Sequence, residues 1–123
     1  MKHILLAEDD PQIARLVQFK LEKEGFRVTW VEDGQQVLER VHHEMFDLIL
    51  LDGMMPHLDG FQTLQALRQD KAFSAIPVVL LTAKGQERDI QKGLELGASD
   101  YILKPFNPQE LAARVKRLLG QAS

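Results

Sequence analysis

Five short, unbroken apolar runs, separated by stretches of helical periodicity, set the strongest limit on what this chain folds into. The runs are His3-Ile4-Leu5-Leu6-Ala7, Val28-Thr29-Trp30-Val31, Leu48-Ile49-Leu50-Leu51, Val78-Val79-Leu80-Leu81 and Tyr101-Ile102-Leu103. They lack the in/out alternation of a half-solvated strand, which is how strands covered on both faces read. Between them Ile13, Leu16, Val17 and Leu21 form one helical stripe, and Val37, Leu38 and Val41 begin a second. Leu64 and Leu67 mark a third, Ile90 and Leu94 a fourth, and Leu111, Val115 and Leu118 a fifth. Strands alternating with helices predict an α/β fold, a parallel, doubly wound sheet with helices on both faces.

Helix-start chemistry agrees. Asp10-Pro11 reads as an N-cap followed by proline in the first turn. Asp59-Gly-Phe-Gln62 and Asn107-Pro-Gln-Glu110 resemble capping boxes. Asp33-Gly34 reads as a turn into the second helix. Gly25 and Gly97 follow expected helix ends, where a left-handed residue is wanted. Residues 1–120 are expected to form one domain and 121–123 a tail, with no effector domain following.

The 123 residues are 45% hydrophobic and 27% charged, ordinary for one globular domain. Lys plus Arg is 15 against 18 Asp plus Glu, a net charge of −3, so nucleic-acid binding through bulk basicity is not expected. The absence of cysteine removes disulfides, thiolate nucleophiles and Cys-based metal sites. Glu8 interrupts the apolar start too early for a signal peptide. No apolar run approaches the roughly 18 residues that a membrane span needs. A soluble cytoplasmic domain is the expectation.

In an open parallel sheet, ligands sit beyond the carboxyl ends of the strands. The residues that follow the apolar runs are therefore informative. Glu8, Asp9 and Asp10 follow the first run, Asp52 the third, Thr82 the fourth and Lys104 the fifth. Carboxylates gathered on one rim repel, so a cation is required. Lys104 supplies one charge, and a hard divalent ion with oxygen ligands, Mg²⁺ by preference, supplies two. Gly53 leaves the Asp52 carboxylate open to approach. An aspartate beside a metal and a lysine is a nucleophile toward phosphorus, giving an aspartyl phosphate. Metal, Lys104 and Thr82 would meet the phosphoryl oxygens as they gain charge.

At these residues the sequence resembles the receiver domain of two-component response regulators. The matching pieces are Ile4-Leu-Leu-Ala-Glu-Asp-Asp10, Asp47-Leu-Ile-Leu-Leu-Asp52-Gly-Met-Met-Pro56, Asp59-Gly60, Leu81-Thr82-Ala83, Gly97-Ala98, Asp100-Tyr101 and Lys104-Pro105-Phe106. The resemblance implies a (βα)5 flavodoxin-like, CheY-like fold with strand order 2-1-3-4-5. It implies Asp52 as the phosphoacceptor and Asp9 as a direct Mg²⁺ ligand, with Glu8 acting through water and Met54 offering its backbone carbonyl. Thr82 and Lys104 would bind the phosphoryl group, and Lys104-Pro105 would be a cis peptide. Thr82 and Tyr101 would form the switch. Met54 and Lys84 would flank the path of attacking water and set the lifetime of the phosphorylated state. The donor would be a sensor histidine kinase or a histidine phosphotransfer protein. Output would pass by protein–protein contact, or through an effector domain of a larger transcription factor or output enzyme. The fourth helix, fifth strand and fifth helix would be the output face and the seat of a weak dimer. There Ile90 stands where a basic residue is expected opposite Glu110.

Blander readings apply elsewhere. Asp10 and Asp59 are caps first. His42 and His43 are adjacent on a helix and face different ways, so they do not chelate as a pair. His3 and His57 have no evident partner. Met54 and Met55 are loop and packing residues, and Trp30 is core or half-buried at a sheet edge. A pseudo-receiver that only binds partners would not need the five key side chains, all of which are present. An aspartate-based phosphatase of the haloacid dehalogenase type wants a second Asp two residues after the nucleophile, where this chain has Met54. A flavodoxin-like nucleotide binder needs a Ser/Thr/Gly-rich loop after the first strand, where Glu8-Asp9-Asp10 would repel phosphate.

Overall fold

A computed structural model describes residues 1–83 and 87–120. Along the chain run β1 (His3–Ala7), α1 (Pro11–Lys23), β2 (Arg27–Val31), α2 (Gly34–Val41), β3 (Leu48–Asp52), α3 (Gly60–Gln69), β4 (Val78–Ala83), α4 (Glu87–Glu95), β5 (Asp100–Lys104) and α5 (Pro108–Leu118). The five strands are parallel and ordered β2-β1-β3-β4-β5, as expected.

Successive side chains of a strand point to opposite faces. Ile4 and Leu6, Leu48 and Leu50, and Val79 and Leu81 face α1 and α5, meeting Val17, Leu21, Leu111 and Val115. Leu5 and Ala7, Ile49 and Leu51, and Val78 and Leu80 face the other way, onto Val37, Val41, Phe61 and Leu64 of α2 and α3. Strands covered on both faces have no solvent side, which is why β1, β3 and most of β4 read as unbroken apolar runs. Burying one such side chain contributes roughly 1.5–3 kcal/mol over leaving it exposed, so these three strands anchor the sheet.

The edges of the sheet differ from that reading. In β2 both Thr29 and Trp30 are half-buried, and in β5 only Ile102 is fully buried, because an edge strand lacks a neighbour on one side. In α1 the buried stripe is Ala14, Val17 and Leu21, while Leu16 is 48% exposed. In α4 the apolar residues expected to face inward do not. Leu94 is 47% exposed and Ile90 half-buried, and the buried residue is Gly93. This helix sits so close to the sheet that a Cβ at position 93 would lie 2.2 Å from Leu80 Cδ1.

Caps follow the sequence with one exception. Asp10, Asp33 and Asp59 each accept a backbone N–H from the first turn of their helix. Asp59 and Gln62 complete a capping box through bonds of 2.8 and 3.1 Å. Asn107 accepts from Gln109 N at 2.8 Å, but Glu110 pairs with Arg114 instead of closing a box. Gly25 and Gly97 take left-handed φ values of 93° and 105°. His3 does have partners: its Nε2 lies 2.7 Å from Thr29 Oγ1, and its ring packs on Phe46 at 4.5 Å.

From β1 the chain crosses first to β2 on one side and later to β3 on the other. The crevice between β1 and β3, at their carboxyl ends, is the topological switch point at which such sheets take ligands.

Candidate functional site

The switch-point crevice opens into a cavity of about 520 Å³, lined by Glu8, Asp9, Asp52, Met54, Thr82 and Lys104 among others. These residues come from four strand ends. Glu8 and Asp9 follow β1, Asp52 closes β3, Thr82 lies near the end of β4, and Lys104 closes β5.

The backbone around them is held closely. Glu8 N donates to Val31 O at 3.1 Å, and the Trp30 indole Nε1 donates to Glu8 O at 2.8 Å. Gly53 N donates to Leu81 O at 2.9 Å, and Gly60 N to Gly53 O at 3.1 Å. The start of α3 thereby presses against the end of β3. A Cβ on Gly60 would stand 2.4 Å from the Asp52 carbonyl oxygen. The Lys104–Pro105 peptide is cis.

Lys104 Nζ donates to Glu8 Oε1 at 2.8 Å and to Asp52 Oδ2 at 3.0 Å. Asp52 is only 5% exposed, less open than the glycine beside it suggests, and its access is through the cavity. Met54 N donates to Asp52 Oδ1 at 3.2 Å, which fixes the other carboxylate oxygen. Carboxylate oxygens of Glu8, Asp9 and Asp52 all lie within 4.8 Å of one another. Burial, then the neighbouring Asp52 carboxyl, pushes Glu8 up to about 7 against the pull of Lys104. Burial works to lower Lys104, but its bonds to Glu8 and Asp52 outweigh this and leave it raised.

One ammonium facing three carboxylates leaves the cluster short of positive charge. Its donors are all oxygens, the set that suits a hard divalent cation such as Mg²⁺ rather than a thiophilic metal. Thr82 is 4% exposed, and its Oγ1 is buried with no hydrogen-bond partner among the described residues. An orphaned buried hydroxyl costs about 1–3 kcal/mol. Its place in the cavity wall makes it a ready donor to an incoming ligand oxygen.

The structure thus brings together Glu8, Asp9, Asp52, Met54, Thr82 and Lys104. Tyr101 stands apart, half-buried against the α2–α3 side of the core and in register with Leu80. Lys84 lies outside the described residues. Three features escaped the sequence reading. Asp89 lines the cavity from α4, and its position there depends on how that helix lies over the sheet. The Trp30 bond to Glu8 spans two strands. Gly60 is set by a backbone approach, and only its pairing with Asp59 hints at it.

Comparison with known proteins agrees with this geometry. Residues 4–116 match the family model of the response regulator receiver domain. The alkaline phosphatase synthesis transcriptional regulatory protein PhoP of Bacillus subtilis is 46% identical over 98% of this chain and 50% of its own length. The transcriptional regulatory protein CpxR of Escherichia coli is 48% identical over 99% of this chain and 51% of its own. The chain therefore spans about half the length of the curated relatives it matches. A putative response regulator from Chloroflexus aurantiacus superposes with a TM-score of 0.93 at 32% identity, covering 98% of each chain. The receiver domain of the sensor histidine kinase PA1611 from Pseudomonas aeruginosa, solved with a magnesium ion coordinated in its active-site cleft, superposes with a TM-score of 0.89. It is 33% identical, again over 98% of each chain. A doubly wound sheet with an acidic crevice at its switch point, in a sequence so matched along its length, belongs to the response regulator receiver domain family of two-component signalling.

Proposed function

We propose that Asp52 accepts a phosphoryl group from a phosphohistidine of a sensor histidine kinase or histidine phosphotransfer protein, and that the domain signals through the resulting aspartyl phosphate. The observation that carries this is the joint placement of Asp52, Lys104 at 3.0 Å and the acidic pair Glu8–Asp9 around one cavity. A carboxylate oxygen of Asp52 forms the new O–P bond, and the P–N bond of the donor breaks with its electron pair left on the imidazole. Lys104, and the Thr82 hydroxyl once it has moved toward the site, would meet the phosphoryl oxygens; the lack of a partner for Thr82 Oγ1 among the described residues supports this role. Glu8, Asp9, Asp52 and the backbone carbonyl of Met54 would hold Mg²⁺, and the magnesium bound in the PA1611 receiver domain supports that choice. When bound, the ion would supply positive charge against the carboxylates and the transferred group.

The domain assists its own phosphorylation and dephosphorylation without being a turnover enzyme. Thr82 moving toward the phosphoryl group, and Tyr101 filling the space it leaves, would carry the change to the face formed by α4, β5 and α5. Output then passes by protein contact, to a separate protein or to a further domain of a longer regulator, as the transcriptional regulatory relatives suggest. The proposed place of action is the cytoplasm, and no helix among the described residues is long and apolar enough to cross a membrane. Met54 occupies the position where an aspartate-based phosphatase needs its acid, which disfavours that reading.

The test is to incubate the protein with a small phosphodonor and map the modified residue. Labelling at Asp52 that requires Mg²⁺ supports the proposal. Labelling that survives Asp52→Asn or removal of Mg²⁺ by a chelator overturns it.

A further inference from the structure

Glu8, Asp9, Asp10, Asp52 and Asp89 all line the cavity. Three of them form the acidic cluster, and Asp10 is engaged in capping α1, its Oδ1 accepting from Gln12 N at 2.9 Å. Asp89 belongs to neither group. It sits half-buried in the first turn of α4 and brings a further negative charge to the wall of the reaction cavity. Thr82 lines the same cavity, and its buried Oγ1 has no hydrogen-bond partner among the described residues, leaving it free to donate to a ligand oxygen.

We propose that Asp89 determines donor specificity, favouring phosphodonors that carry their phosphoryl group on a cationic nitrogen and disfavouring acyl phosphates. This rests on the reading of Asp52 as the phosphoacceptor.

The argument is one of charge at the leaving group. With either donor an Asp52 oxygen forms the O–P bond. From acetyl phosphate the bridging O–P bond breaks with its electron pair on oxygen, and acetate leaves as an anion. From phosphoramidate, in its zwitterionic form, the P–N bond breaks with its pair on nitrogen, and ammonia leaves neutral. No proton has to come from the protein. A carboxylate in the cavity wall raises the energy of a donor that arrives as a dianion and expels an anion. The same carboxylate attracts an ammonium end. Such a charge acts across the cavity, because screening at 0.1 M salt extends over about 10 Å and partly buried charges are screened less.

The experiment uses the intact chain with Mg²⁺ and measures the initial rate of Asp52 modification by mass spectrometry, with acetyl phosphate and with phosphoramidate. Wild type is compared with Asp89→Asn, Asp89→Ser and the control Glu95→Gln, an exposed acid on the same helix but outside the cavity. The expected result is a phosphoramidate-to-acetyl-phosphate rate ratio that falls about three- to tenfold in both Asp89 variants, chiefly through faster acetyl phosphate reaction. The control keeps the wild-type ratio, and the wild-type ratio falls toward that of the variants as salt rises to about 1 M. An unchanged ratio overturns the proposal, as does an equal change in both rates, which would show a merely structural role. If neither donor modifies Asp52 in wild type, it is the phosphoacceptor reading that fails.

Discussion

The indole Nε1 of Trp30 donates to the backbone carbonyl of Glu8 across 2.8 Å, joining the chain's single tryptophan to the acidic cluster. The bond bridges the edge strand β2 and the end of β1, so a shift in the Glu8 backbone alters the surroundings of the indole. Titration with Mg²⁺ is expected to give a saturable change in tryptophan fluorescence. Asp9→Asn should displace that titration to at least tenfold higher Mg²⁺, a loss of about 1.4 kcal/mol or more. Fluorescence indifferent to Mg²⁺ while the ion binds by another measure would show that this link does not report on the site.

A methyl group on residue 60 has nowhere to go. Gly60→Ala places Cβ 2.4 Å from the Asp52 carbonyl oxygen, and the obstacle is backbone rather than a flexible side-chain tip. Overpacking of this kind typically costs about 1–3 kcal/mol. Because the strained atom belongs to Asp52, the variant should also label more slowly with phosphodonor than its stability alone accounts for. Chemical denaturation and labelling rates, measured well below the unfolding midpoint, check the two effects separately.

Most of the architecture was legible because the central strands have no solvent side. The unbroken runs of β1, β3 and β4, alternating with helical stripes, state a parallel doubly wound sheet. The strand order follows from the resemblance to receiver domains, and Asp10, Asp59 and the glycines after α1 and α4 mark helix boundaries. Glu8, Asp9, Asp52 and Thr82 were legible for the same reason, since the polar residues at the carboxyl end of a doubly buried run fall on the rim. Lys104 comes instead from the edge strand β5, whose apolar run is shorter and only partly buried. What the sequence hides is set by tertiary approach. Ile90 and Leu94 have helical spacing, yet α4 seats Gly93 on the sheet and turns Leu94 outward. Leu16 belongs to an apolar stripe wider than the face that α1 buries. His3 looked unpartnered because Thr29 and Phe46 reach it from other strands or loops. Asp89 joins the cavity only through the placement of its helix.

The ion pair between Glu24 and Lys116 ties the end of α1 to α5. The Lys116 ammonium beside it holds the Glu24 carboxyl below its usual value of 4.5. A carboxylate lowered in the folded state stabilises above its unfolded pKa, and that contribution is lost as pH falls through the folded value. Wild type and Lys116→Met are therefore expected to differ in stability at neutral pH and to converge in acid, below 4.5. The difference is small, as for exposed pairs generally. Thermal unfolding of both proteins across that range checks the sign, and a gap that widens in acid would contradict the assignment.

Arg114 on the α4–β5–α5 face is already engaged within its own chain. Its Nη1 donates to Asp100 Oδ1 and to the Tyr101 carbonyl, both at 2.9 Å, and its Nη2 lies 3.3 Å from Glu110. A cross-subunit pair made by these residues has to displace bonds that the monomer holds. The resemblance to receiver domains places a basic partner for Glu110 where this chain has Ile90, so one such pair would be absent. Exposed pairs contribute only about 0–1 kcal/mol each, so a dimer through this face would be weakened rather than forbidden. The bond to the Tyr101 carbonyl also ties this face to the proposed switch residue, giving phosphorylation a route to alter it. We expect a monomer in the unphosphorylated state and at most weak dimerisation through this face with a phosphoryl mimic bound. Arg114→Glu should abolish that response, because it repels Asp100 and Glu110 and frees the Tyr101 carbonyl. Sedimentation velocity on both proteins, with and without the mimic, checks this. Tight dimers indifferent to the mimic and to Arg114→Glu would show that the phosphorylation-coupled surface lies elsewhere.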